Sequence, residues 1–208
     1  GGLVATRSIG QFSTLYGGIE DMVVGCEVVF AGGQISRIKN VPRRAAGPDI
    51  RHIVIGNEGA LCFITEVTVK LFPYMPENNA FLGWTLKNMK TGFAALREVM
   101  VTGYKPSVAR LYDPEDGQLH FSDFAAKDDC VLLFMAEGNA GISAATAAGI
   151  AEIVAKYSEC QSVDSRLIAA WFDDLVWDES KVTREDERIR RTRNVNRTTE
   201  ISGDWSSI

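Results

Sequence analysis

The stretch from Ala80 to Asp164 constrains the fold most, because strand-like and helical segments alternate through it in a fixed order. Apolar residues recur at helical spacing over 88–104, and an Ala-rich helix is predicted over 143–157. The remaining apolar segments predict strands at 80–86, 107–113, 128–138 and 160–164. This order predicts an α+β layer of the split βαβ type, with an antiparallel sheet and its helices on one face.

A separate sheet is predicted upstream, within residues 22–70. The signals for it are an apolar segment, the hairpin dipeptide Gly32-Gly33, a returning strand, a short helix and a last strand. The predicted segments are 22–30, 35–39, 50–55 and 64–72. Prolines at positions 73 and 76 then suit neither helix nor strand, so we predict a domain boundary near Pro76 that separates 1–76 from 77–208.

Two charged or amphipathic segments follow the second block. The stretch 165–180 begins with a serine suited to an N-cap, and its apolar stripe of Leu167, Ile168, Trp171, Leu175 and Val176 predicts a helix. The run 184–193 is rich in arginine and is compatible with a phosphate-binding or membrane-facing surface. Its alternating charges favour a solvated helix with ion pairs between residues four positions apart, such as Glu187 and Arg191.

The composition excludes several classes of protein. The chain of 208 residues is 46% apolar, carries a net charge of −5 and has its basic residues scattered, so nucleic acid is not an expected partner. No apolar run approaches the roughly 20 residues of a membrane span, and we expect a cytoplasmic location. The four cysteines are far apart and form no C-x-x-C pair, which favours small buried side chains over disulfides or a metal site.

The usual catalytic and nucleotide-binding motifs are absent from the sequence. His52 and His120 have no Ser, Cys or carboxylate at a spacing that suggests a triad or a metal site. Neither a P-loop nor a G-x-G-x-x-G fingerprint is present, so any nucleotide is bound in another way. We therefore name no catalytic residue.

Two glycine-rich loops are candidates for ligand contact. The segment "ATRSIG" places the hydroxyls of Thr6 and Ser8 two residues apart, and "GNEGALCFIT" has glycines on both sides of Glu58. Small residues there would let the main chain approach a planar or anionic ligand. The alternative is an ordinary helix-to-strand connection, in which the glycines only supply left-handed conformations.

An ordered series of motifs resembles a known family. The segment "GGLVATRSIGQFSTLYGGIEDMVVGCEVVFAGG", followed after a spacer by "GPDIRHIVIGNEGALCFITEVTVKLFP", is similar to the second half of the PCMH-type FAD-binding domain of FAD-linked oxidases of the vanillyl-alcohol oxidase type. The resemblance is strongest to the alkyldihydroxyacetonephosphate synthase branch and to bacterial FAD-linked oxidoreductases. It covers residues 1–73 densely and the rest, where such enzymes carry a cap domain, more weakly.

The resemblance implies FAD as the cofactor and assigns it a set of contacts. The matched loops and strand edge supply them: Thr6, Arg7, Ser8, Ile9, Gly10, Tyr16, Gly17, Glu58, Gly59, Ala60, Leu61, Cys62 and Ile64. The family usually has glycine where this chain has Cys62, whose thiol either crowds the cofactor or points into the core.

The resemblance also implies a substrate site. Arg110 lies on a predicted cap strand where such synthases place an arginine near the active cavity, so we expect it to hold an anionic group of a small-molecule substrate. An ion pair with Asp113 or Glu115 at the end of the strand is the alternative.

Three functions are compatible with these motifs. The first is FAD-dependent oxidation of a small hydroxy acid or alcohol by hydride transfer to the flavin. The second is an ether-lipid synthase that uses a flavin adduct, and the third is a non-catalytic module whose cap mediates dimerisation or binding. The family's pyrophosphate-binding loop and its C-terminal Tyr or His residues have no match here, so we expect the chain to be a fragment of a longer enzyme. We expect the fragment to be inactive alone, and the resemblance is compatible with a homodimer.

Overall fold

The computed structural model describes residues 1–41, 45, 47–175, 178–195 and 199–206. The chain divides into two compact units, residues 1–168 and 169–208. The first unit contains two antiparallel sheets, and each sheet has its own buried core.

The first sheet has three strands in the order β2-β1-β3. These strands are β1 Val23–Phe30, β2 Ile35–Ile38 and β3 Cys62–Val69. Four single-turn helices surround them: α1 Gly2–Ala5, α2 Ser13–Tyr16, α3 Ile19–Met22 and α4 Arg51–Val54. The predicted sheet within 22–70 and the short helix near 50–55 are therefore confirmed.

The hairpin between β1 and β2 forms where its glycines predicted it. Gly33 has φ +78°, and its N–H donates to the carbonyl of Phe30 at 2.8 Å. A positive φ is readily adopted only by glycine, so the turn fixes the register that places Val29 opposite Ile35.

Strand β3 begins and ends earlier than the predicted 64–72. Cys62 already pairs with Phe30, the last residue of β1. At the other end Val69 pairs with Val23, the first residue of β1, and only the N–H of Lys70 reaches further, to the carbonyl of Met22 at 2.8 Å. The apolar residues Leu71 and Phe72 continue beyond the partner strand, so the pairing and not the composition sets the bounds.

The second sheet has four antiparallel strands in the order β5-β6-β4-β7. In chain order its elements are β4 Ala80–Leu86, α5 Met89–Val101, β5 Val108–Tyr112, α6 Pro114–Phe121, β6 Cys130–Ala136, α7 Ala140–Val154 and β7 Gln161–Ser162, preceded by a 3₁₀ turn at Pro76–Asn78. This strand order is the split βαβ arrangement that the sequence predicted.

One face of this sheet packs against α5 and α7. The contacts come from alternate residues of the two central strands, as the pleat requires, and from the apolar faces of the two helices. The buried members of this core are Trp84, Leu86, Ala95, Val99, Cys130, Leu132, Phe134, Ile150, Ile153 and Val154.

The prediction that all helices lie on one face is wrong. Helix α6, which was not predicted, packs on the opposite face. Leu132 of β6 faces α5 and α7, so its neighbour Val131 faces the other way, because successive side chains of a strand alternate between the two faces. A Cβ added to Gly117 of α6 would lie 3.6 Å from Val131. The same Cβ would lie 2.8 Å from the carbonyl of Asp129, so only glycine fits there. A glycine inside the helix is what obscured it in the sequence, although Asp113 caps it and Pro114 starts it.

Helix α8, Ser165–Asp173, ends earlier than the predicted 165–180, and Val176 lies outside the described residues. Helix α9, Glu179–Thr192, contains most of the arginine-rich run. None of its described residues is buried, and Glu185 pairs with Arg188 at 2.5 Å. The prediction of a solvated helix is confirmed, whereas the ion pair joins residues three positions apart and is not the predicted pair of Glu187 with Arg191, four positions apart.

Neither a membrane-spanning helix nor a metal-binding cluster is found among the described residues. No helix among them combines the length and the apolar character that crossing a membrane requires. No group of three or more His, Cys, Asp or Glu side chains in the same part of the chain is arranged to hold a metal ion.

Candidate functional site

The structure brings the two glycine-rich loops together. The N–H of Gly56 donates to the carbonyl of Val4, and the N–H of Glu58 donates to the carbonyl of Ala5, each at 2.9 Å. These bonds join the end of α1, where the loop 6–10 begins, to the loop 56–61 that leads into β3. The predicted cofactor residues of both loops therefore belong to one surface.

The loop 56–61 turns sharply through three left-handed residues. Gly56, Glu58 and Gly59 have φ of +80°, +48° and +81°. Glu58 is not a glycine, so its conformation is costly and has to be held by its surroundings. A Cβ at Gly56 would lie 3.2 Å from the Cβ of Arg7, which explains why the two loops can approach so closely.

Asn57 holds the loop 56–61 in this shape. Its side chain is buried, its amide donates to the carbonyl of Val54 at 2.6 Å, and its Oδ1 accepts from the N–H groups of Gly59, Leu61 and Cys62 at 3.0, 3.4 and 3.4 Å. Sequence reasoning missed this residue. The available signal was an asparagine between glycines, since asparagine side chains commonly bond to the backbone of their own turn.

The hydroxyls of Thr6 and Ser8 are engaged with each other. Thr6 Oγ1 donates to the carbonyl of Gly2 at 2.9 Å and lies 2.8 Å from Ser8 Oγ. A hydroxyl has one proton, so Ser8 donates to Thr6 when Thr6 donates to Gly2. What these two side chains can offer a ligand is therefore mainly acceptor capacity.

Arg7 is the second non-glycine residue of the surface with a left-handed backbone, at φ +54°. Its guanidinium lies 3.0 Å from Nδ1 of His52 in α4, and its Nε lies 4.0 Å from Oε1 of Glu20 in α3. Arg7 thus ties the loop 6–10 to two neighbouring helices. Its Nη2 donates to the ring nitrogen of His52 when that nitrogen is unprotonated.

Several predicted contacts are uncovered. Ile9 and Leu61 are about half exposed, at 47% and 53%, although both are large and apolar. Gly59 and Ala60 are exposed as well, and a Cβ added to Gly59 or Gly10 would meet no atom within 4 Å. Apolar side chains beside accessible main chain are the usual lining of a site for a planar cofactor.

Cys62 and Ile64 lie mainly in the core. The thiol of Cys62 is buried in the core of the first sheet beside Val54, and burial raises its pKa. Ile64 is partly buried against the same cluster. Of the two alternatives for the thiol, the structure therefore shows the one in which it points into the core. In the described part of the chain, no strand pairs with the outer edge of β3.

Tyr16 and Gly17 lie between the two sheets. The Tyr16 ring packs on Phe72 with centroids 4.5 Å apart, and its hydroxyl donates to Glu137 at the end of β6. Burial, followed by the contact with the Glu137 carboxylate, raises the pKa of Tyr16 to about 12. Gly17 has φ +79°, and a Cβ there would overlap the Asp21 carboxylate.

Arg110 lies half-buried on β5, on the sheet face opposite α5 and α7. Its Nη1 donates to the hydroxyl of Tyr112 at 2.6 Å, and its guanidinium carbon lies 5.7 Å from the centre of that ring. No carboxylate among the described residues pairs with it within 4 Å; the expected alternative partner Asp113 instead accepts from the N–H of Asp116 at 2.9 Å.

Comparison with known sequences shows what the chain is similar to. Over all 208 residues the chain is 67% identical to a protein of Escherichia coli O157:H7 described as the uncharacterised FAD-linked oxidoreductase YgcU. It spans 43% of the length of that relative. No protein-family model matches it.

More distant relatives match about half of this chain. An alkyldihydroxyacetonephosphate synthase of Caenorhabditis elegans is 41% identical over 113 residues, which are 54% of the chain and 19% of the synthase. A mitochondrial D-lactate dehydrogenase [cytochrome] of Arabidopsis thaliana is 31% identical over 114 residues, which are 54% of the chain and 20% of the dehydrogenase.

Two solved structures share the predicted fold with this chain. An alkyldihydroxyacetonephosphate synthase matches with a TM-score of 0.65 and 26% identity, over 78% of this chain and 32% of the synthase. A p-cresol methylhydroxylase matches with a TM-score of 0.60 and 16% identity, over 82% of this chain and 40% of the hydroxylase. The predicted α+β architecture of the PCMH type is confirmed.

Proposed function

We propose that the full-length protein is an FAD-dependent oxidoreductase that acts on a small anionic hydroxy acid or alcohol. In this proposal residues 1–76 supply part of the FAD-binding domain and 77–208 supply part of the cap. The joined loops 6–10 and 56–61 hold the cofactor, together with the Tyr16-Gly17 turn and the start of β3. When bound, FAD supplies the acceptor for the hydride that leaves the substrate.

The fit of these loops to FAD is supported by what they leave accessible. A planar ring system needs an apolar wall and close main chain, and Ile9, Leu61 and the open side of Gly59 provide them. The left-handed backbone of Glu58 adds support, because strained residues of this kind concentrate at ligand sites.

The observation that carries the substrate class is Arg110. A half-buried guanidinium normally has a carboxylate beside it, but the neutral hydroxyl of Tyr112 is its hydrogen-bond partner. Its positive charge is therefore uncompensated by any carboxylate of the described chain within ion-pair distance. A carboxylate or phosphate of the substrate can accept two parallel N–H bonds from the guanidinium and supply that charge.

The first experiment measures the flavin. The purified full-length protein is expected to be yellow and to release FAD on denaturation. The 208-residue chain is expected to retain little or none after gel filtration, since half of a nucleotide site loses most of its affinity. A full-length protein without flavin would contradict the proposal, and a flavin-loaded 208-residue chain would contradict the need for further FAD contacts.

The second experiment tests Arg110 by steady-state kinetics on 2-hydroxy acids and alcohols. Arg110→Lys is expected to lower kcat/KM about ten- to hundredfold with flavin content unchanged, because an ammonium cannot form the planar two-point contact. Lys105→Arg, at an exposed position before β5, is a matched control with the charge retained. Unchanged kinetics in Arg110→Lys would contradict substrate binding by this residue.

A second candidate function is supported by the alkyldihydroxyacetonephosphate synthase relatives and their shared fold. In that case the enzyme acts on an acylated glycerone-phosphate ester and catalyses no net oxidation. Arg110 would then hold the phosphate. Incubating the protein with such an ester and a fatty alcohol distinguishes the two: ether-lipid formation without an electron acceptor favours the synthase, and reduction of a dye by a hydroxy acid favours the oxidoreductase.

A further inference from the structure

Arg110 and Tyr112 form a hydrogen-bonded pair on β5. They lie two positions apart on the strand, so both side chains project from the sheet face opposite α5 and α7. Their neighbours Ala109 and Leu111 pack against the core on the other face. Nη1 of Arg110 donates to the hydroxyl of Tyr112 at 2.6 Å, a short bond of the kind that a charged donor forms. The position of the guanidinium therefore depends on the position of this hydroxyl.

The ring of Tyr112 is itself held by helix α6. Its centre lies 5.0 Å from the centre of the Phe121 ring, with 74° between the ring planes, and 5.9 Å from the centre of the His120 ring. Phe121 is almost completely buried, so it is a fixed support. Edge-to-face contacts of this kind fix the ring of Tyr112, and the hydroxyl at its end is thereby placed beside Arg110.

The hydroxyl of Tyr112 holds the guanidinium without neutralising it. Burial raises the pKa of Tyr112, and the nearby charge of Arg110 opposes this rise only in part, so the phenol stays protonated at neutral pH. A carboxylate in the same place would form an ion pair and balance the positive charge. The bond to Tyr112 uses one of the five N–H groups of the guanidinium, and a two-point contact with an oxyanion needs two more.

We propose that Tyr112 is a positioning residue for the anionic group of the substrate: its hydroxyl holds the Arg110 guanidinium in the orientation that presents two parallel N–H bonds to a carboxylate or phosphate. A guanidinium that is held before the ligand arrives loses less conformational freedom on binding. The inference rests on the proposed function, in which Arg110 binds that group. It adds a residue that the resemblance does not assign.

Tyr112→Phe in the full-length protein tests this inference, because it removes the hydroxyl and keeps the ring packed on Phe121. The probes are oxalate and inorganic phosphate, and isothermal titration calorimetry measures their dissociation constants. The dissociation constant of the anion that the wild type binds is expected to rise about tenfold, since hydrogen bonds to charged groups are among the stronger ones. Binding of oxalate favours a hydroxy-acid substrate, and binding of phosphate without oxalate favours a phosphate ester.

A second readout separates positioning from a general structural role. In steady-state kinetics with the hydroxy acid that the wild type oxidises, KM of Tyr112→Phe is expected to rise about tenfold with kcat within about twofold, because holding the anion serves the ground state and the transition state alike. Oxidation of an uncharged primary alcohol is expected to be unaffected. A fall in kcat with KM unchanged would overturn the inference.

Tyr157→Phe is the matched control. It removes a hydroxyl that donates to a charged side chain, Glu98 of α5, at 2.8 Å, and Tyr157 packs against the core on the sheet face opposite Arg110. A small loss of Tm similar to that of Tyr112→Phe, with unchanged anion binding, is expected. A loss of anion affinity as large as in Tyr112→Phe would show a general effect of lower stability and would overturn the inference.

The variants of Arg110 distinguish this inference from the proposed function. Anion affinity in Tyr112→Phe within about twofold of the wild type, while Arg110→Lys weakens it about tenfold or more, would overturn the inference and leave the proposed function intact. A wild type that binds neither anion, or binds one equally well in Arg110→Lys, would overturn the proposed substrate class and this inference together.

Discussion

Strands β1 and β6 each have a neighbour on both sides, yet the sheets around them differ in how they are covered. Every residue of β6 is buried, because α5 and α7 cover one face and α6 packs on the other. In the first sheet β3 is an edge strand, and Phe63 on it is 72% exposed. The second sheet is completed by its own helices, whereas the first holds its loops in place with polar contacts and leaves apolar surface uncovered.

This difference explains where the candidate site lies. A sheet covered on both faces gains its stability from apolar burial and has little accessible main chain. The loop 56–61 is instead held by the amide of Asn57 and by two bonds to α1, which leaves Gly59 and Leu61 uncovered. The candidate cofactor loops thus belong to the sheet with the smaller buried core, and the larger core lies in the second sheet.

The largest expected effect is a core truncation in the second sheet. Leu132→Ala in β6 is expected to lower the free energy of unfolding by about 3–5 kcal/mol, because Leu132 is fully buried and its removal leaves a cavity. Phe63→Ala in β3 is the counterpart, and a loss below about 1 kcal/mol is expected for this exposed ring. Urea denaturation of the chain measures both, and equal losses would remove the distinction between the sheets.

The next effect concerns the polar support of the loop 56–61. Asn57→Ala is expected to cost about 2–3 kcal/mol, because Val54, Gly59 and Cys62 lose a buried hydrogen-bond partner. Asn88→Ala removes a single exposed cap bond at the start of α5, so about 1 kcal/mol is expected. Denaturant midpoints give the comparison; a smaller loss for Asn57 than for Asn88 would show that the loop does not depend on this amide.

A smaller effect is expected where the two sheets meet. Tyr16→Phe removes the hydroxyl that donates to Glu137 and is expected to cost about 1 kcal/mol, with the ring still packed on Phe72. Flavin content of the full-length variant is expected to stay unchanged, since the hydroxyl is directed at Glu137. Loss of flavin at unchanged stability would instead assign the hydroxyl to the cofactor.

The smallest effect depends on pH. Hydrogen bonds from Arg51 lower the pKa of Asp49 from 3.8 to about 2, so the contact stabilises the fold above the unfolded pKa and is lost as pH falls towards 2. Asp49→Asn is expected to be less stable than the wild type near pH 7 by no more than about 1 kcal/mol, since Asp49 is partly exposed. The free energies of unfolding of the two proteins should become equal near pH 2. A difference that persists at low pH would show that the lost stability has another cause than the charge of Asp49.

The sequence predicted the elements with strong periodicity and failed where tertiary contacts decide. The order of β4 to β7 followed from apolar spacing and turn residues. Helix α6 was not predicted because a glycine inside a short segment weakens the helical signal, and the reason for Gly117, the nearby carbonyl of Asp129, exists only in the folded chain.

The candidate site was predictable in part for the same reason. The glycines around Glu58 indicated a loop that needs left-handed residues, and the structure has them there. That this loop bonds to Val4 and Ala5, distant in sequence, could not be read from local pattern. The role of Asn57 also required the fold, because its carbonyl accepts from N–H groups on both the loop and the start of β3.

The hydroxyl of Thr14 links the first sheet's loops to the second sheet. Its one proton is shared between the carbonyls of Pro106 and Ser107, at 2.8 and 3.0 Å, directly before the strand that carries Arg110, while Thr14 itself lies between the loop 6–10 and Tyr16. The strand and the loop are therefore fastened to each other near their ends. Because this contact bridges residues that lie 92 positions apart in the sequence, a displacement of the loop 6–10 is expected to displace the strand that carries Arg110 as well.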